Sequence, residues 1–526
     1  MTLQREKTTM TREQAHTPDH EVVIIGAGFG GMGAGIKLKQ AGIEDFMILE
    51  RRDEVGGTWR DNTYPGVAVD IPSFTYSYHF EPNPNWSRPF APGKELQEYA
   101  VHVADKYGLR PHLRFGVEVG SARFDEAADC WRLELADGSA LSSRFLMSCH
   151  GTLVTPSVPT IPGLADFEGT IIQTMAWDHD HDLTDERVAV IGTGASGIQV
   201  IPAIADTVKS MQVYQRTPIW VLPKTNPELN TLTQKIFEHV PLVQRSLRVA
   251  TGAFTEIVVV LGAVYNRELP FVVKGIEQGC LAYLRSEVSD PELREKLTPR
   301  YGFGCKRPSF SDTYYAALQR EHVELVTDGI QTVTPTGIRT VDGIEREVDT
   351  IVLATGFKVF DVPYDLYGID GVTLEDRWDR ERRESYEGVS LRGYPNMFLA
   401  PGPYGVTGAS WFATVDVCTS HAVRVITEAR ARSATRVEVS RTAQDRYMRK
   451  VLARMGNTMF KSPACAGSNS YYIDKHGDAS LARPTPGVQA WWAQRRFDLN
   501  DYEFRGHGSF AAVLRSPAME DIAGHR

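Results

Sequence analysis

Two glycine-rich turns carry the most legible chemistry in this sequence. Residues 21–25 (EVVII) are a β-branched run that passes directly into Gly26-Ala27-Gly28-Phe29-Gly30-Gly31, followed by a helical stretch to about Gln40. Strand, glycine turn and helix are the context in which GxGxxG binds a dinucleotide. Gly26 makes the tight turn, Gly28 lets the backbone approach a pyrophosphate, and Gly31 allows close helix–strand packing. The phosphates would sit at the helix N-terminus, against unpaired N–H groups and the positive end of the dipole. A second strand, Phe46 to Leu49, ends at Glu50, 24 residues beyond Gly26, where a carboxylate can accept hydrogen bonds from ribose hydroxyls. The pattern recurs 166 residues later, where Val188-Ala189-Val190-Ile191 leads into Gly192-Thr193-Gly194-Ala195-Ser196-Gly197. Two such units imply two dinucleotides on one chain. After the next strand, Met211 to Tyr214, the ribose-binding acid is missing and Gln215, Arg216 and Thr217 stand in its place. A guanidinium can grip a 2′-phosphate in bidentate fashion, which favours NADP over NAD.

The elements that position these turns belong to a long, ordinary-looking chain. With 526 residues it has room for three or four structural units, and 42% hydrophobic against 23% charged residues is a globular balance that can bury a large core. A net charge of −9 offers no positive field to gather nucleic acid. The six cysteines are scattered with no CxxC pair, so neither a disulfide framework nor a metal site is readable, and the expected compartment is a reducing cytoplasm. Residues 1–19 are polar and read as a disordered lead. The most apolar stretch, Ile257 to Tyr265, is too short to span a bilayer, so no integral membrane segment is expected and a buried or channel-lining helix is the reading.

Between the two turns the residues resemble a known family. The run GGTWRDNTYPGVAVD, from Gly56 to Asp70, is similar to the loop over the isoalloxazine ring in flavoprotein monooxygenases, particularly the Baeyer–Villiger monooxygenases. That resemblance implies FAD in the first site, with Thr58, Trp59 and Tyr76 toward the flavin and Val119 offering its backbone to the adenine end. Phe167, Gly169, Trp177 and Asp178 resemble the family fingerprint FxGxxxHxxxW(P/D), with Gln173 where the pattern has His. Gln173 is expected to keep a hydrogen bond and lose any protonation role. The segment Val348 to Phe357, with its Ala354-Thr355-Gly356, resembles the link between the nucleotide domains, and its first-half counterpart carries Cys149-His150 where Ala-Thr is common.

Gly304-Cys305-Lys306-Arg307-Pro308 resembles the segment that supplies the active-site arginine of these enzymes. The resemblance implies that Arg307 offers fixed positive charge to a C4a-peroxyflavin and to the oxyanion forming on a ketone, because a guanidinium does not deprotonate. By the same resemblance Asp70 pairs with Arg307 and Lys306 reaches the NADP phosphate. The implied reaction takes NADPH, O2 and a ketone to an ester or lactone. A sulfur- or nitrogen-oxygenating relative and an uncoupled NADPH oxidase or redox-sensing flavoprotein remain open. A disulfide reductase is disfavoured, since no two cysteines lie closer than 19 residues in sequence.

The expected fold is α/β, with two Rossmann-like dinucleotide-binding domains. The FAD domain would comprise residues 20–155 and 359–526. The NADP domain would comprise 156–224 and 301–358, interrupted by a helical insertion at 225–300 that resembles the part shaping the substrate cavity. A loop from Cys465 to Tyr472 resembles one that contacts NADP through a Trp, here replaced by Tyr471.

Overall fold

The computed structural model describes residues 17–407 and 410–506, so most of the polar lead lies outside the described residues. Each glycine turn sits in a parallel sheet. In the first sheet the strand His20–Ile25 lies between Phe46–Glu50 and Ala140–Ser148, parallel to both, with Val22 opposite Phe46 and Phe145. Leu113–Phe115 extends one side, while Cys130–Leu135 and Val119–Asp125 continue the other as an antiparallel meander. The late segments Asp365–Tyr367 and Met397–Leu399 return to pair with Val119–Asp125 and Ala140–Ser148. The second sheet has five strands, all parallel, in the order Val323–Val326, Ser210–Tyr214, Arg187–Ile191, Thr350–Leu353 and Thr170–Gln173.

The central strands of both sheets are apolar throughout, as parallel strands covered on both faces must be. Val22, Val23, Ile24, Val188, Ala189 and Val190 are fully buried. Helix Phe29–Gln40 packs over the first sheet against the long helix Trp411–Ala431, and helix Gly197–Ile204 covers the second. In both units the strand order reverses beside the glycine-turn strand, which opens a crevice at the carboxyl ends of the strands.

The insertion is helical, with helices at Thr231–His239, Pro241–Thr255, Pro270–Glu287 and Pro291–Leu297, and a π-helical turn at Glu256–Leu261. The segment from Ile257 to Tyr265, expected as a buried or channel-lining helix, contributes Val260, Ala263 and Val264 to a cavity wall. Val260 is buried, whereas Ile257 is 52% exposed. The reading of the cysteines is corrected. Cys305 and Cys465 form a disulfide although 160 residues separate them, a pairing set by tertiary packing that no local spacing reports. Cys130, Cys149, Cys280 and Cys418 are free and buried.

Candidate active site

The carboxyl ends of both sheets open onto one cavity of about 1410 Å³. At the first turn Gly26 has φ +97°, and a Cβ there would meet the Cys149 carbonyl oxygen at 2.8 Å. A Cβ on Gly31 would lie 1.8 Å from the Gly26 oxygen, so helix and turn touch through bare backbone. Gly28 is different, since its nearest neighbour would be Gly57 Cα at 3.6 Å. The second turn repeats this: Gly192 has φ +111° and Gly197 abuts Gly192, while Gly194 has nothing within 4 Å. Both turns therefore keep open backbone where a phosphate needs to approach, beside the free N–H groups of a helix N-terminus.

Glu50 is buried beneath the first turn. Its carboxylate accepts from Ala27 N (2.8 Å) and Arg52 N (2.9 Å), which fixes its orientation on the cavity wall. Phe29 also lines the cavity. Its ring is buried among Tyr76, Tyr78, Tyr99 and Phe412, so what it offers a ligand is backbone. Thr58, Val119, Thr193, Ala195 and Ser196 all line the cavity. Trp59 Nε1 donates to the Tyr76 hydroxyl (3.0 Å), joining two aromatic side chains of the wall. His150 shares a hydrogen bond with Ser148 Oγ (2.8 Å), and burial lowers its imidazole to about 4, so it is neutral at physiological pH.

Arg307 enters the cavity from the other unit. Its Nε and Nη2 donate to the two carboxylate oxygens of Asp70 at 2.6 and 2.8 Å, a bidentate pair. The guanidinium keeps 39% of its side-chain surface open in a molecule whose cavity it lines. The neighbouring Asp70 charge raises Arg307 well above its already high value. Lys306, next in the chain, faces Arg216 instead. Burial first, and then the Arg216 charge, lower its ammonium below the usual lysine range. Among the described residues no carboxylate pairs with Lys306 or Arg216, and both line the cavity. Arg216, Thr217 and Lys306 thus converge with uncompensated positive charge, a setting that suits a phosphate.

Comparison with known proteins places these features. A profile for the family described as pyridine nucleotide-disulphide oxidoreductase matches residues 23–259. A Baeyer–Villiger monooxygenase of Streptomyces coelicolor is 37% identical, over 93% of this chain and 93% of its own length. One of Pseudomonas aeruginosa is 37% identical over 86% and 85%. The chain belongs to the Baeyer–Villiger monooxygenase family. Among solved structures, OTEMO in complex with FAD and NADP superimposes with a TM-score of 0.81 at 28% identity, covering 93% of this chain and all of that one. A steroid monooxygenase bound to NADP gives 0.80 at 28% identity over 93% and 99%. Among the described residues no helix is long and apolar enough to cross a membrane.

Several residues of this monooxygenase site were not read from the sequence. Gln199, on helix Gly197–Ile204, accepts from the Tyr64 hydroxyl (2.9 Å) and donates to the Ala68 carbonyl (3.0 Å), tying the Asp70 loop to the second unit. Gly66 was the available signal, for at φ +81° a Cβ there would lie 2.6 Å from the Gln199 carbonyl oxygen. The loop from Cys465 to Tyr472, expected from its resemblance to contact NADP, lines the cavity with Asn469, Tyr471 and Tyr472; Asn469 donates to Thr217 Oγ1 (3.2 Å), and the two tyrosines reach the surroundings of Arg307. Val260, Ala263, Val264 and Phe460 give the cavity an apolar side. The disulfide lies behind this wall, with Cys305 fully buried, and is not among the cavity-lining residues. The Gln173 backbone oxygen accepts from Ala176 N (3.0 Å).

Proposed function

We propose that this chain binds FAD at the first glycine turn and NADPH at the second, and inserts one atom of O2 beside the carbonyl of a ketone to give an ester or lactone. Bound FAD, once reduced by NADPH, would supply the activated oxygen. The chain's own residues then have distinct tasks. The helix N-termini after Gly28 and Gly194 hold the pyrophosphates, and Glu50 holds a ribose. Arg216, Thr217 and Lys306 hold the 2′-phosphate. Trp59 and Tyr76 wall the flavin side, and Val119 meets the adenine end.

The observation that carries the reading is the bidentate Arg307–Asp70 pair on the cavity wall. Asp70 fixes the guanidinium plane, and Arg307 presents permanent positive charge to the carbonyl oxygen as it becomes an oxyanion. The apolar side of the cavity excludes water from that charge. In domain terms, residues 20–155 and 359 onward form the FAD unit and 156–224 with 301–358 the NADP unit, an assignment supported by the two sheets. The reading implies a cytoplasmic setting, where NADP+ is reduced back to NADPH.

The test is Arg307→Ala, with ester formation measured against NADPH consumption over a ketone panel. Loss of a developing-charge donor costs on the order of 10²–10³ in kcat. Ester formation should fall by that factor with flavin still bound. Full ketone oxygenation by the variant would defeat the assignment. Sulfoxide or N-oxide formation without esters in the wild type would favour a heteroatom oxygenase.

A further inference from the structure

The helix Pro241–Thr255 is packed inside out. Two of its polar residues face the protein: Gln244 Nε2 donates to the Asn83 carbonyl, and Arg248 Nη1 donates to the Phe74 carbonyl (3.0 Å) and Ser77 Oγ (3.1 Å). Most of its apolar residues face outward, beside the exposed Arg245 and Ser246, while Leu247 packs on the core. Leu242 and Val249, with Phe254 and then Ile257 just beyond its end, are more than half exposed. A soluble surface helix normally does the opposite.

The start of a second helix, Gly487–Arg496, which packs on Trp411–Ala431, meets the end of the first. Gly487 N donates to Glu256 Oε1 (2.7 Å), which turns that carboxylate inward and joins the end of the first helix to the start of the second. Arg248, midway along the first helix, and Arg495, in the last turn of the second, both act on His79, and Arg495 Nη2 is 3.1 Å from Asp416. The outer face of the second carries Val488, Trp491 and Trp492, all between 42% and 70% exposed. Arg495 and Arg496 stack on the two indoles at 4.0 and 4.2 Å. A contiguous apolar patch of this kind marks a binding surface.

We infer that this two-helix face docks onto the headgroup region of an anionic lipid bilayer. Neither helix contains a single Asp or Glu, and in a chain of net charge −9 they expose Arg245 and Arg496, while Arg248 is turned inward and Arg495 is paired with Asp416. Tryptophan with its guanidinium partner suits the bilayer boundary, where an aromatic body and a charged end are both satisfied. A helix with exposed Leu, Val and Phe and basic residues at its rim lies in the interface plane without crossing. Self-pairing of this face would set arginines against arginines, because a two-fold contact opposes the same patch to itself. The patch also continues into the π-turn, whose Val260 lines the cavity with Ala263 and Val264. A membrane-dissolved apolar ketone would thus enter from the bilayer side; this cargo rests on the ketone reading, and the docking does not.

The test is co-sedimentation of the flavin-loaded protein, without substrate, with vesicles of phosphatidylcholine containing phosphatidylglycerol, against pure phosphatidylcholine. Wild type is expected to bind the anionic vesicles and to release at high salt. Val249→Glu and the double variant Trp491→Ser/Trp492→Ser should lose binding by roughly tenfold or more, since buried apolar area sets interfacial affinity. Both should keep bound flavin and full turnover of a water-soluble ketone. Failure of the wild type to bind, or equal binding by the variants, would overturn the inference. So would a dimer abolished by Val249→Glu in a protein that ignores vesicles, which would assign the face to a second copy. Because no turnover enters the binding measurement, failure here and failure of the ketone reading are read separately.

Discussion

Asp70 and Arg307 meet through two hydrogen bonds of 2.6 and 2.8 Å although 237 residues separate them. Burial by itself would raise the Asp70 carboxyl, but the Arg307 charge and these bonds outweigh it and hold the group below the usual carboxylate range. A depressed carboxyl adds stability that is present above its unfolded value, near about 4, and is lost only as pH falls through its lower folded value. The pair should therefore add no acid limb to the rate profile between roughly pH 5 and 9. Asp70→Asn removes the fixing charge and leaves Arg307 in place. Its kcat should drop by about ten- to a hundredfold, the range for losing a partner that orients a working group, with KM for NADPH little changed. Steady-state kinetics across pH checks both points, and an acid limb near pH 6 in the wild type would contradict them.

The two third glycines make opposite predictions about the cofactors. A Cβ on Gly31 would lie 1.8 Å from the Gly26 oxygen, and one on Gly197 would lie 2.2 Å from the Gly192 oxygen. Backbone cannot yield at such distances without opening the turn. Gly31→Ala should give protein with little bound flavin, seen as lost absorbance near 450 nm. Gly197→Ala should keep its flavin and raise KM for NADPH by about tenfold or more, as a distorted phosphate turn loses at least one backbone hydrogen bond to an ion. The reverse pattern would exchange the two sites.

Legibility in the sequence followed the range of the interaction. The glycine turns were readable because strand, turn and helix are contiguous and each glycine has a local steric reason. Glu50 was readable because the next strand brings it back beside Gly26. Arg307 came only from resemblance, since nothing local distinguishes it from a surface basic pair. Gln199 and the Cys305–Cys465 bridge were not legible, because their partners come from distant segments, and Asn469 came only with the resemblance of its loop. Helix Pro241–Thr255 shows a further limit. Periodicity reveals an apolar stripe, but burial alone shows that the stripe faces outward.

Lys306 supplies a pH prediction for NADPH binding. Burial and the Arg216 charge lower its ammonium. A lysine whose charged form is disfavoured loses its proton below the ordinary value of about 10.4, and with it the attraction for phosphate. KM for NADPH should therefore rise on the alkaline side, with a midpoint under that value. KM for NADH, which lacks the phosphate, should stay flat. Arg216→Ala should move the midpoint upward, because it removes the like charge, while cutting the preference for NADPH over NADH by about ten- to a hundredfold, the worth of a hydrogen bond between ions. An unshifted midpoint in that variant would place the two cations too far apart to share a phosphate.

The bridge between Cys305 and Cys465 ties the arginine segment to the loop that carries Asn469, Tyr471 and Tyr472. Its physical effect is twofold. In the unfolded chain it closes a loop of 160 residues, which is worth about 2–5 kcal/mol of stability in the chain-entropy account. In the folded chain it restrains the loop that hydrogen-bonds Thr217. Cys465→Ser should lower Tm by several degrees and raise KM for NADPH, with the Arg307–Asp70 pair and hence kcat at saturating NADPH largely retained. A dithiol reductant should reproduce both changes in the wild type and do nothing further to the variant. Calorimetry and NADPH titration with and without reductant check this. A wild type indifferent to reductant, with no free thiols gained on its addition, would show that the two cysteines are not bridged in solution.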